Sequence, residues 1–107
     1  MELEIYWLEF AESKLFDIYK YYCKRANVKV ARNLINGIID ATIDLEKHPE
    51  KGQIETSFKS RIQTFRYLIY KNYKIVYWIN YDFGRIEIAN VFDTRQNPDR
   101  LEYTKSF

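Results

Sequence analysis

The chain has 107 residues, 47% of them hydrophobic and 30% charged, with only three glycines and two prolines; this suits a single folded domain over 1–107 and excludes a disordered or low-complexity protein. Seventeen basic against fifteen acidic residues give a formal +2, too near neutral for the whole chain to act as a polyanion binder. One cysteine (Cys23) and one histidine (His48) exclude an intrachain disulfide, a cysteine cage and a histidine-pair metal site, and neither a secretory leader nor an apolar run of about 18 residues is present, so a cofactor-free, non-membrane, cytoplasmic protein is expected.

Leu3, Ile5 and Trp7 alternate with Glu2, Glu4 and Tyr6, which predicts a short strand. From about Glu9 the period changes: Ala11, Leu15, Ile18 and Tyr22 share one helical face, widened by Phe16 and Tyr19, with Glu12, Lys14, Asp17 and Lys20 opposite. Asn27 is placed to cap a second helix whose apolar positions are Ala31, Leu34, Ile35, Ile38, Thr42 and Leu45. It should stop near His48-Pro49, because the residue before proline is pushed out of the α region. So short a break makes the pair an antiparallel helical hairpin.

Glu50 to Thr64 has no clean period and reads as a loop. Arg66–Lys71, Tyr73–Tyr81 and Arg85–Asp93 alternate and are rich in Tyr, Ile, Val, Phe and Trp, which predicts a meander of three strands. Gly84 supplies a positive φ to the second turn, and Asn72 is the expected left-handed residue of the first. Asn97-Pro98-Asp99 reads as the opening of a short helix ending near Lys105. The expected fold class is α+β, ordered β-α-α-β-β-β-α, with a helical hairpin packed on one face of a small antiparallel meander sheet and the other face uncovered.

The charge is unevenly spread. Residues 1–57 sum to −2 and residues 58–107 to +4, and from Lys59 to Arg85 six basic residues meet only Asp82. On the middle meander strand, Tyr73, Ile75, Tyr77 and Ile79 share the core side, leaving Lys74, Val76, Trp78 and Asn80 on the open one. On the last strand, alternation assigns Ile86, Ile88, Asn90 and Phe92 to one side and Glu87, Ala89, Val91 and Asp93 to the other. Arg66 and Arg95 are expected to converge on Lys74 and Trp78, with Lys59 and Arg61 on the loop that feeds in. Cations among aromatic rings suit a phosphate backbone or an acidic protein surface. Solvated strand charges that discourage edge-to-edge pairing produce the same pattern.

The chain offers less for catalysis. His48 is the default base by intrinsic pKa, yet it sits at a predicted helix end, where compensating the dipole accounts for it. Tyr103 reads first as packing for the terminal helix and Cys23 as a small buried or boundary residue. No glycine-rich phosphate loop, Ser/His/Asp set or metal-ligand spacing is present.

Tyr73-Lys74-Ile75-Val76-Tyr77 and the run from Ile86 through Asn90, Asp93 and Arg95 to Pro98 resemble the RelE/ParE toxin superfamily. So do Ile5-Tyr6-Trp7 leading into Ala11, Leu15 and Ile18, and Leu45 before His48-Pro49 and Gly52. The resemblance spans almost the whole chain. It implies a bacterial toxin of a type II toxin–antitoxin, or plasmid-stabilisation, system. Its partner would be a cognate antitoxin whose otherwise disordered segment wraps the toxin, in a dimer or heterotetramer.

RelE-like members cut messenger RNA in the ribosome, whereas ParE-like members inhibit DNA gyrase. The RelE-like arginine early in the middle strand is matched conservatively by Lys74, and the arginine after the last strand by Arg95. Their two preceding lysines fall at about Phe65 and Tyr67, and their terminal-helix tyrosine falls near Leu101, two residues from Tyr103. Their excess of helix lysines is missing from this acidic first half. The resemblance therefore implies a ParE-like, gyrase-inhibiting toxin rather than an enzyme, with Arg66, Lys74 and Arg95 as electrostatic contacts and Trp78 as an anchor. The alternative is a ribosome-dependent mRNA endonuclease holding phosphate with Lys59, Arg61, Lys74 and Arg95, with Tyr103 or His48 in proton transfer. A third reading is a toxin-derived domain that only binds its partner.

Overall fold

A computed structural model describes residues 3–56 and 63–95. The predicted terminal helix from Asn97 lies outside them, as do Lys59, Arg61 and Tyr103. The elements are β1 (Glu4–Trp7), α1 (Glu9–Arg25), α2 (Val28–Ile43), β2 (Gln53–Ile54), β3 (Arg66–Tyr70), β4 (Tyr73–Asn80) and β5 (Arg85–Asp93), with one 3-10 turn at Asp44–Glu46. None of the described helices is long and apolar enough to cross a membrane.

Local chemistry accounts for the helical hairpin. Glu9 and Glu12 open α1 while Lys24 and Arg25 close it, each opposing the nearby end of the helix dipole. The Asn27 side chain accepts from Val30 N at 2.9 Å, as its place before the second apolar stripe predicts. The α-helix stops at Ile43, earlier than His48-Pro49, because the chain tightens into the 3-10 turn that carries Leu45 into the core.

The five strands run in the order β1-β5-β4-β3-β2. The antiparallel meander β3-β4-β5 forms as expected, and β1 joins its edge parallel to β5, which makes the sheet mixed. That position sets Ile5 beside Ile86 and Trp7 beside Ile88 under the helices. Two residues of the predicted loop, Gln53 and Ile54, pair with β3 as the far edge. Ile38, Leu45, Ile75, Tyr77, Ile86, Ile88 and Val91 are fully buried between hairpin and sheet, and burying each of the six aliphatic side chains among them contributes roughly 1.5–3 kcal/mol.

Three further expectations are corrected. First, Val76 pairs with Asn90 but Tyr77 pairs with Ile88, so Ala89 is an extra, bulged residue. The bulge reverses the alternation beyond it: Val91 and Asp93 face the helices with Ile75 and Tyr73, while Asn90 and Phe92 lie on the opposite face with Val76 and Lys74. Second, the positive φ of the β3–β4 turn falls on Lys71, at 54°, and not on Asn72. The Asn72 carbonyl is committed to Thr94, accepting from its N at 2.8 Å and its Oγ1 at 3.0 Å. Gly84 has the expected positive φ, at 63°. Third, the face away from the helices is not bare. Val76 and Ala89 are fully buried there with Phe65, bordered by Leu8, Tyr67, Trp78 and Phe92.

Candidate functional site

Among the predicted site residues, Lys74 and Trp78 share the face away from the helices, four positions apart on β4. Each is already engaged. Lys74 Nζ is ion-paired with Glu55 and lies 4.1 Å from the centroid of the Tyr67 ring. The Glu55 side chain is 3% exposed, and its backbone N–H donates to the Phe65 carbonyl at 2.8 Å. Trp78 Nε1 donates to Glu87 Oε1 at 3.0 Å.

Arg66 and Arg95 do not converge on that pair. Arg66 stands opposite Tyr77, so it belongs to the helix-facing side, where its Nη1 donates to the Gly52 carbonyl at 3.0 Å and the Glu50 carbonyl at 3.3 Å. It fastens the loop before β2. Arg95 follows Asp93 to the helix side because of the bulge. Its Nε donates to Asp93 Oδ1 at 2.9 Å and its Nη2 to Oδ2 at 2.6 Å, while its own backbone N–H also reaches Oδ1 at 2.9 Å.

Asp93 and Arg95 line a cleft of about 380 Å³ with Lys14, Tyr22 and Tyr73 at the α1 side of the sheet. Hydrogen bonds from Arg95 hold the Asp93 carboxyl down at about 2, against burial, which raises it. Burial, with Tyr22 hydrogen-bonded beside it, pushes the Tyr73 hydroxyl well above its ordinary value. Burial lowers Lys14, and the nearby Asp17 opposes that. The cleft therefore holds two cations and two acids around tyrosine rings.

The alternation of β4 and β5 also assembles a cluster that the sequence reading did not single out. Glu87, 6% exposed, accepts from Trp78 through Oε1, and from Asn80 Nδ2 at 3.0 Å and Arg85 Nε at 2.8 Å through Oε2. Burial favours its protonated form, but the hydrogen bonds from Asn80, Arg85 and Trp78 outweigh it and hold the carboxyl below its usual value. The signal was available: the Tyr81–Gly84 turn sets Asn80 opposite Arg85, and counting back sets Trp78 opposite Glu87. Glu55 offered no comparable signal, since it belongs to no periodic segment.

His48 is exposed at the loop after the 3-10 turn, beside Pro49, Glu50, Lys51 and Tyr81. Among the described residues, no three His, Cys, Asp or Glu side chains are grouped to hold a metal. On the sheet, Lys74, Arg85 and Arg95 each carry a carboxylate partner. Among the described residues, these three cations are thus held in paired charges within the chain.

A family model described as the ParE toxin of type II toxin–antitoxin system, parDE, matches residues 5–98. The fold resembles a solved structure from the chromosomal ParDE toxin–antitoxin system of P. aeruginosa, with a TM-score of 0.70 over 88% of this chain and 98% of that one, at 14% identity. No curated protein matches the sequence.

Proposed function

The chain belongs to the ParE toxin family of type II toxin–antitoxin systems, and from that premise we propose that it inhibits DNA gyrase by binding it and is neutralised by a cognate antitoxin. The observation that supports binding over RNA cleavage is the Lys74–Glu55 pair. Lys74 occupies the position that resembles a phosphate-gripping arginine of the RelE-like nucleases. Here a nearly buried carboxylate of the same chain takes the place a phosphate would need, and a polyanion approaching it meets a neutralised site. In this reading Lys74 and Trp78 shape the sheet face and Arg66 holds the loop. Arg95, its side chain 69% exposed, is the cation best placed for an electrostatic contact.

Expression of the chain alone, with and without the product of the adjoining gene, tests the proposal. Gyrase inhibition predicts loss of supercoiling activity in vitro, double-strand breaks and SOS induction in cells, intact transcripts, and relief by the antitoxin. Rapid transcript cleavage would overturn it in favour of the ribosome-dependent nuclease. Tight antitoxin binding without either effect would identify an inactive binder.

A further inference from the structure

The β4–β5 hairpin ends in a surface that none of the predicted contacts occupies. Phe83 is 71% exposed at the turn, and Tyr6, on β1, is 42% exposed. The Arg85 guanidinium lies against both rings, 4.0 Å from the Tyr6 centroid and 5.2 Å from that of Phe83. Its Nε is held by Glu87, and among the described residues its two terminal nitrogens form no further hydrogen bond. The loop backbone is fixed as well. Phe83 N donates to Asn80 Oδ1 at 3.2 Å, Gly84 N to the Tyr81 carbonyl at 3.2 Å, and Glu4 N to the Gly84 carbonyl at 3.1 Å.

At 71% exposure, the Phe83 ring buries little area within this chain beyond its contact with Arg85. It has, however, the makeup of an interface anchor: aromatic rings and an arginine, ordered in advance, so that little conformational entropy remains to be lost on binding. We propose that Tyr6, Arg85 and Phe83 form a preorganised knob that inserts into a pocket on the toxin's protein target, one offering apolar walls to the two rings and neutral carbonyl oxygens to the terminal nitrogens of Arg85.

Charge identifies the class of partner. Glu4 and Asp82 flank the knob and Glu87 lies beneath it, so acids outnumber the one cation and a nucleic acid would be repelled. Shape separates the target from the antitoxin. A rigid convex tip suits a concavity on a folded protein, whereas a wrapping, initially disordered segment is better received by the concave cleft of Tyr22, Tyr73 and Arg95 at the other end of β4 and β5. The inference rests on the gyrase reading and names the surface that makes the contact.

Purified toxin is titrated against DNA gyrase in a supercoiling assay as wild type, Phe83→Ser, Arg85→Lys and the control Ile69→Ser, and each variant is also tested for co-purification with tagged antitoxin. Ile69 is exposed on β3, outside the knob. The expected result is a loss of inhibitory potency of about tenfold or more for Phe83→Ser and for Arg85→Lys, with the control unchanged and antitoxin capture intact in all. Because Phe83 is so exposed, its variant keeps the test valid even where Arg85→Lys disturbs the fold. Undiminished inhibition by both knob variants overturns the inference while leaving the gyrase reading standing. An equal loss in Ile69→Ser, or a loss of antitoxin capture with inhibition retained, also overturns it. Wild-type toxin that fails to inhibit gyrase overturns the gyrase reading itself, and the knob with it.

Discussion

Lys74 reaches back from the middle strand to Glu55, a residue of the strap that follows β2, and the two form an ion pair in which the carboxylate side chain is 3% exposed and the lysine 19%. The exposures make the two halves unequal. Removing the lysine leaves a nearly buried carboxylate without its ammonium, whereas removing the carboxylate leaves a lysine whose head can move toward water. Lys74→Ala should therefore cost about 2–4 kcal/mol of unfolding free energy and Glu55→Gln about 1–2 kcal/mol. Urea denaturation of both variants checks the order; equal costs, or a negligible one for Lys74→Ala, would show that the pair does not secure the strap.

A second tie fastens the loop on the other side of β2. The Tyr77 hydroxyl accepts from Gly52 N at 2.9 Å and donates to the Pro49 carbonyl at 2.7 Å. Tyr77→Phe strands a buried N–H and should cost about 1–3 kcal/mol. A Cβ on Gly52 would lie 2.6 Å from that hydroxyl and 2.7 Å from the Tyr67 carbonyl, which is backbone and has little room to give. Gly52→Ala is thus expected to cost a similar roughly 1–3 kcal/mol. Since both substitutions disturb one contact, their double variant should cost less than the two singles together; additivity in denaturant midpoints would separate them.

Much of this architecture was readable because burial imposes a period. Ala11, Leu15 and Ile18 announce α1, Asn27 its successor, and Gly84 the hairpin turn. A period says which face a residue takes, but not which strand lies beside it, so β1's parallel place next to β5 was not legible. The bulge at Ala89 was hidden for a related reason: Ala89, Asn90 and Val91 are all buried, so no exposed residue marks the break in alternation. That one extra residue carries Asp93, and Arg95 after it, to the helix side. Arg66 was legible in principle, since a turn at Lys71-Asn72 pairs Tyr70 with Tyr73 and so Arg66 with Tyr77. Glu55, the partner that decides what Lys74 can do, lies in an aperiodic strap, and only tertiary structure reveals it.

The Asp93–Arg95 fork predicts a pH dependence. The Asp93 carboxyl titrates at about 2 in the folded protein against 3.8 ordinarily, chiefly through the hydrogen bonds from Arg95. A folded-state value below the unfolded one gives a contribution fully present above the ordinary value and lost as pH falls through the folded one. The stability difference between wild type and Asp93→Asn should therefore be constant above about pH 5 and shrink between about pH 4 and pH 2. Urea denaturation at stepped pH measures it, and a difference that does not change over that interval would rule out the fork as its source.

Glu87 offers the sharpest test of how the hairpin tip is held. Its two oxygens serve three donors, Trp78 on one and Asn80 with Arg85 on the other. A glutamine has one acceptor oxygen and one donor group, so Glu87→Gln must turn an N–H toward either Trp78 or the Asn80–Arg85 side. The expected stability cost is about 1–3 kcal/mol. If Glu87 acts as a positioning residue for Arg85, the same variant also weakens gyrase inhibition although the Tyr6, Arg85 and Phe83 side chains are intact. Glu87→Asp, which keeps two acceptor oxygens and the charge on a shorter stem, should recover part of that loss. A purely structural role would lower the denaturation midpoint of Glu87→Gln while leaving the inhibitory potency of the folded fraction at the wild-type level, because no part of the contact surface would have moved.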